Sequence, residues 1–255
     1  MKNIRLIYQI MAIMMGMILA AASCQKDNYT APQTRFTGHL VYKGNPIRVK
    51  NTGLTDGNGI GAVYFELWQD GFGKSGAIDV YLDQDGSFSA LLYNGDYKLV
   101  IPSAQGPFIS LQDEQTGSDT TILHLNGNTD MDIEVLPYYM IDQANFTVGA
   151  DSIVKASAAI SKVITDSRAK DIEFVGLYVN RTSFVDEDNN IAKQTIAGSD
   201  LSSLSSIALQ AKIPEDISGG NIGVADQNYF YARVGVKIEG VDDMIFSDII
   251  KVELP

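Results

Sequence analysis

Asn228-Tyr229-Phe230-Tyr231-Ala232-Arg233-Val234-Gly235-Val236-Lys237-Ile238 is the stretch that decides the fold. Phe230, Ala232, Val234, Val236 and Ile238 recur at every second position and point one way. Tyr229, Tyr231, Arg233 and Lys237 point the other. A period of two is the signature of a strand with one buried face, and aromatic and β-branched residues suit a pleated surface. The same period runs through most of the chain. It appears over residues 36–42, over 62–69 with Val63, Phe65 and Leu67 on one face, and at Ile78, Val80 and Leu82. Residues 88–93 and 97–101 flank Asn94-Gly95, whose tolerance of positive φ predicts a hairpin. Residues 121–125 and 131–135 are expected to pair across Asn126-Gly127-Asn128. Beyond Pro137 the pattern restarts over 139–148, 153–164, 172–179, 203–213 and 244–254. The alanines of 153–164, which alternates through Val154, Ala156, Ala158 and Ile160, also allow a short helix. No long stretch has helical spacing with caps. Short strands at regular spacing, with turn residues between them, predict an all-β protein of two consecutive β-sandwiches, 35–137 and 138–255, the second Ig-like.

The start of the chain reads differently. Lys2 and Arg5 precede a run, 6–22, that is apolar apart from Tyr8 and Gln9 and ends in Ala20-Ala21-Ala22-Ser23. A charged region, an apolar region and a small-residue cleavage site together predict a signal peptide over 1–23. The run is short of the roughly 20 residues a spanning helix needs. Cys24 is the sole cysteine. It cannot form an internal disulfide, and an unpaired thiol in an exported chain calls for another role. Residues 19–24 resemble the lipobox of bacterial lipoproteins, with Ala21 where Leu is usual, and the resemblance implies lipidation at Cys24. Each buried acyl CH₂ contributes about 0.8 kcal/mol and one chain holds only marginally, so the two or three chains of a lipoprotein would anchor it permanently. Plain secretion with a free thiol is the alternative. Gln25, Lys26 and Asp27 resemble the short export signal that sends Bacteroidetes lipoproteins to the outer face of the outer membrane. The rest of 24–34 is polar, contains Pro32 and reads as a flexible tether.

The 255 residues carry a formal net charge of −12, and without residues 1–23, which hold Lys2 and Arg5 and no acids, 232 residues carry −14. Such a surface repels phosphate backbones and anionic lipid heads, which excludes nucleic acid as an expected partner. An apolar content of 45% is enough to build cores without disulfides.

Residues 38–47, Gly61-Ala62-Val63, Asp85-Gly86-Ser87-Phe88 and Gly95-Asp96-Tyr97-Lys98-Leu99 resemble the transthyretin-like, carboxypeptidase-regulatory-like sandwich. Residues 65–73 and 84–92, with Leu177-Tyr178-Val179-Asn180 and 182–186, are similar to an uncharacterised two-domain lipoprotein family of Bacteroidetes. That family sits beside SusC/SusD-type outer-membrane importers. The resemblance implies an accessory surface lipoprotein partnered with such importer subunits, and it names no active site.

Several groups invite chemistry. Tyr64, Glu66 and Trp68 share the face opposite Val63, Phe65 and Leu67. Two aromatic rings with a carboxylate between them could stack on a sugar and accept its hydroxyls. The alternative is a face packed under a loop or against the second domain. The loop 70–76 exposes Phe72 as a further contact, and no strand–helix unit follows to make it a phosphate loop. Asp83-Gln84-Asp85-Gly86 opens like an EF-hand, but Asn94 stands where a bidentate Glu is needed, so a turn is expected. Asp186, Glu187 and Asp188 form a denser oxygen cluster that could hold Ca²⁺, the alternative being a solvated loop tip. His39 and His124 lie in expected strands and assemble no zinc site. No nucleophile elbow is present, and paired glycosidase carboxylates cannot be chosen without geometry. The expectation is a non-catalytic accessory or ligand-binding lipoprotein without a cofactor, taking a glycan or peptide. The rival readings are a structural or adhesive module and a surface hydrolase.

Overall fold

The structure is a computed structural model that describes residues 30–50, 64–71, 76–112, 115–214 and 227–254. Among them, the first half of the chain forms β1 (Thr34–Tyr42), β2 (Asn45–Pro46), β3 (Phe65–Trp68), β4 (Ala77–Val80), β5 (Ser87–Leu92), β6 (Gly95–Val100), β7 (Phe108–Ser110), β8 (Thr121–Leu125), β9 (Thr129–Asp130) and β10 (Ile133–Pro137). The second half forms β11 (Tyr139–Val148), β12 (Ile153–Lys162), β13 (Ile172–Asn180), β14 (Ala192–Ala197), β15 (Ile207–Lys212), β16 (Tyr229–Ile238), β17 (Met244–Phe246) and β18 (Ile250–Glu253). The fold is all-β: two consecutive sandwiches, with one 3-10 turn at Gly198–Asp200.

In the first sandwich, one sheet runs β2-β1-β10-β7, with β5 and β9 also on β1, and the other runs β4-β3-β6-β8. Phe36, Leu40, Phe88 and Leu92 face Phe65, Leu67, Tyr97 and Leu99 in the core. Phe88 packs edge-on against Phe65 at 5.0 Å between ring centroids. In the second, β11-β12-β15 packs on β14-β13-β16-β17, with β18 also on β16. Val154, Ala156, Ala158 and Ile160 of β12 are buried. The alanine-containing segment is therefore a strand, its small side chains letting the two sheets approach. The inward face read from residues 228–238 is buried throughout.

Two expectations about pairing are corrected. β5 and β6 do not form a hairpin: β5 pairs with β1, while β6 pairs with β3 and β8. Asn94-Gly95 carries the chain from one sheet to the other. Asn94 Oδ1 accepts hydrogen bonds from Thr34 Oγ1 and from Gly127 N–H, which tie the turn to both sheets. Likewise β8 stays on β6, whereas β10 crosses to lie parallel to β1, with Leu40 opposite Ile133. Asn-Gly supplies positive φ whichever sheet the next strand joins. Ile78 is corrected too. It sits on the edge strand β4 and is 39% exposed, while Val80 and Leu82 are buried.

Candidate functional site

The alternation that turns Phe65, Leu67, Tyr97, Leu99, Leu123 and Leu125 into the first core leaves a complementary set on the outer face of β4-β3-β6-β8. Register then groups these outward residues. Trp68 lies opposite Lys98, Lys98 opposite Ile122, and Asp96 opposite His124. The Trp68 indole is 37% exposed, and its Nε1–H donates to Glu66 Oε2 at 2.8 Å, which fixes the ring's orientation. Lys98 Nζ lies 3.6 Å from Asp70 Oδ2. The His124 Nδ1 and Asp96 Oδ1 atoms are 2.6 Å apart. The open depression here has a volume of about 510 Å³ and is lined by Trp68, Gln69, Asp70, Asp96, Lys98 and Ile122. An oriented aromatic face flanked by carboxylates, an amide and an ammonium offers a stacking platform with hydrogen-bond donors and acceptors at its rim.

The structure joins Glu66 and Trp68 in this site but removes Tyr64, which corrects the expectation for that residue. Tyr64 is 1% exposed. Its hydroxyl donates to Asp243 of the second sandwich and lies 3.4 Å from the Lys50 carbonyl oxygen, because β3 begins where the two sandwiches meet. Phe72, Cys24, Gln25, Lys26 and Asp27, like the expected signal peptide, lie outside the described residues. Asp186, Glu187 and Asp188 do not converge as a cation site would require. Asp186 is turned inward, 1% exposed, and its Oδ1 accepts from the N–H groups of Asp188 and Asn189. Asp188 pairs instead with Lys50. His39 and His124 sit on exposed strand faces, each beside an aspartate.

A second polar centre escaped the sequence altogether. Arg233, expected on an outward face, is completely buried. Its guanidinium lies 3.7 Å from the centre of the Phe246 ring and donates to the Val49 carbonyl at 3.0 Å and to the Val185 carbonyl. The outer face of β16 is covered at Arg233 by the first sandwich and by the loop after β13, so local alternation mistook a seam for solvent. Burial pushes the Arg233 guanidinium down to about 9, while Asp186 and Tyr178 favour its charge. Burial pushes the neighbouring Asp243 carboxyl up to about 7, against the Met244 N–H and the Lys50 charge. Phe246 N–H donates to the Arg48 carbonyl at 2.9 Å, and Asp243 N–H to the Gln105 carbonyl at 3.0 Å, closing the seam with backbone bonds.

These features define a two-sandwich all-β protein that displays one oriented aromatic on an exposed sheet face. The chain belongs to the DUF3823 family: residues 34–136 match its N-terminal domain, a protein of unknown function, and 139–251 match its C-terminal domain of unknown function. Among solved structures it is similar to a DUF3823 protein from Parabacteroides merdae, with 30% identity over 88% of this chain and all of that one, and a TM-score of 0.70. A Bacteroides ovatus DUF3823 protein gives 31% identity, the same coverage and a TM-score of 0.68. A proposed carbohydrate-binding protein from Bacteroides uniformis shares the fold at 12% identity, over 88% of this chain and all of that one, with a TM-score of 0.60. No curated protein matches the chain.

Proposed function

We propose that the protein is a non-catalytic, lipid-anchored surface component that binds glycan on the outer face of β4-β3-β6-β8 and hands it to a SusC/SusD-type importer. The observation that carries this reading is Trp68, held by Glu66 at the end of β3 where it lines an open, polar depression. An indole kept in place pays little ordering entropy when a sugar ring stacks on it. Glu66, Asp70 and Asp96 would accept hydroxyl protons, and Lys98 and Gln69 would donate. The anchoring part of the proposal rests on the export features of residues 1–27. The link to an importer rests on the family resemblance, and the choice of sugar is supported by the related Bacteroides uniformis fold described as carbohydrate-binding.

Trp68 is the only tryptophan in the chain, beside twelve tyrosines, so emission excited selectively at the indole reports on this face alone. Titration with neutral plant and host oligosaccharides should give a saturable change for at least one of them. Trp68→Ala should lose the site on this face in a calorimetric assay while keeping the fold. A panel that leaves the emission flat at millimolar sugar would refute the reading.

A further inference from the structure

A second recess lies where the two sandwiches meet, away from Trp68 in the lining it uses. It has a volume of about 430 Å³, in the range of small-ligand sites. The first sandwich contributes Arg48 and the turn Asp83-Gln84-Asp85. The second contributes Phe184 and Asp248, among others. Sites between domains are a common place for ligands, because two walls can be shaped independently.

Phe184 is 46% exposed on a well-anchored loop. Its carbonyl accepts from Asn180 Nδ2 at 2.6 Å, and the next carbonyl, Val185, accepts from the buried Arg233. Asp186 then caps the loop through the N–H groups of Asp188 and Asn189. The ring is thus presented by a backbone that is already fixed. Across the recess, Gln84 Nε2 donates to the Ser183 carbonyl at 3.2 Å. Its Oε1 is buried in the wall with no partner. A buried acceptor left without a donor is costly, which favours any ligand that brings a hydroxyl to it. Arg48 is engaged by Asp248, so the carboxylates of Asp83 and Asp85 set the sign of the recess. Among the described residues no three imidazole, thiolate or carboxylate groups gather as a metal site would need.

We infer that this interdomain recess is a second sugar subsite, taking a neutral pyranose ring that stacks on Phe184 and donates hydroxyls to Gln84, Asp83 and Asp85. The inference rests on the reading that the chain binds glycans. It adds where a second sugar molecule is held and which sugars are refused. The two carboxylates repel uronates and sulfated sugars, so the subsite selects uncharged residues.

Calorimetric titration of the full chain in detergent with a panel of neutral oligosaccharides tests it, with matched uronate-bearing oligosaccharides as the second arm. For the sugar that binds, two sites per chain are expected. Trp68→Ala and Phe184→Ala should each leave one site, and the double variant none. Asp83→Asn should weaken the exclusion of uronates severalfold. Circular dichroism of each variant verifies that the fold is kept. If one site is seen, lost in Trp68→Ala and untouched in Phe184→Ala, the inference fails and the proposed function stands. If Phe184→Ala abolishes the only site and Trp68→Ala is silent, the recess stands and the sheet face fails. If no member of the panel binds, both fail. Heat on adding calcium, lost in Asp83→Asn and without any sugar heat, would make the recess a cation site and overturn the inference.

Discussion

At the scale of single residues, the seam between the sandwiches is where charge and burial conflict. Asp243 has its carboxyl raised from the usual 3.8 to about 7, chiefly by burial. The native state therefore holds a proton, between those two values, that the unfolded chain has released. Stability from this group is complete below the unfolded value and is lost as pH rises through the native one. Asp243→Asn removes the titration but keeps an acceptor for Met244 N–H. The variant should gain on the wild type by about 2–4 kcal/mol between pH 4 and pH 8, the size such a displacement corresponds to. Urea unfolding at both pH values measures it, and a difference independent of pH would refute the assignment. Arg233 tests the same seam from the other side. Arg233→Ala strands the Val49 and Val185 carbonyls and leaves a hole under Phe246, so it should cost about 2–4 kcal/mol. Arg233→Met fills the space without a charge and should cost less. Equal losses in denaturant midpoint for the two would show that packing matters little there.

At the scale of elements, the strands themselves were legible in the sequence and their partners were not. Period two in residues 228–238 and 153–164 marks the buried faces because each core strand needs one apolar side whatever lies beside it. Pairing depends on loops whose chemistry is shared by hairpins and crossovers, as Asn94-Gly95 and Asn126-Gly127-Asn128 show. The same limit hid the site. Glu66 and Trp68 could be placed on an outward face, but Lys98, Asp96 and Ile122 join them only through the pairing of β6 with β3 and β8. Arg233 failed for the opposite reason. The second face of its strand is buried at Arg233 and Gly235 and half-buried at Tyr229, Tyr231 and Lys237, and alternation reports only the more apolar face. The Asp85-Gly86 turn was read correctly, and the structure says why Gly86 is needed. Its φ is +86°, and a Cβ there would lie 2.4 Å from the Ile47 carbonyl oxygen. Gly86 also closes the turn, its N–H donating to the Asp83 carbonyl at 2.9 Å and its carbonyl accepting from Leu40 N–H at 3.0 Å. Gly86→Ala should cost upward of about 2 kcal/mol through strain and displacement together. A thermal midpoint unchanged from the wild type would show that the turn relaxes freely.

At the scale of the whole molecule, the two sandwiches share one continuous buried core, which includes Phe108, Tyr138 and Tyr139. The seam adds Arg233, Tyr64 with Asp243, and the backbone bonds to Arg48 and Gln105. Neither sandwich can open without exposing that seam, so calorimetry should record one cooperative transition for the pair. Two resolved transitions would mean that the contact is too weak to couple them. The Trp68 face belongs to the first of these two joined sandwiches. The central claim is that this face meets sugar. It is tested most directly by the indole N–H resonance of Trp68, the single indole signal the chain can give. With a neutral oligosaccharide, that signal should move saturably, together with the amides of Lys98 and Ile122. An indole signal that stays fixed across the whole panel, or moves while Lys98 and Ile122 do not, would contradict the account.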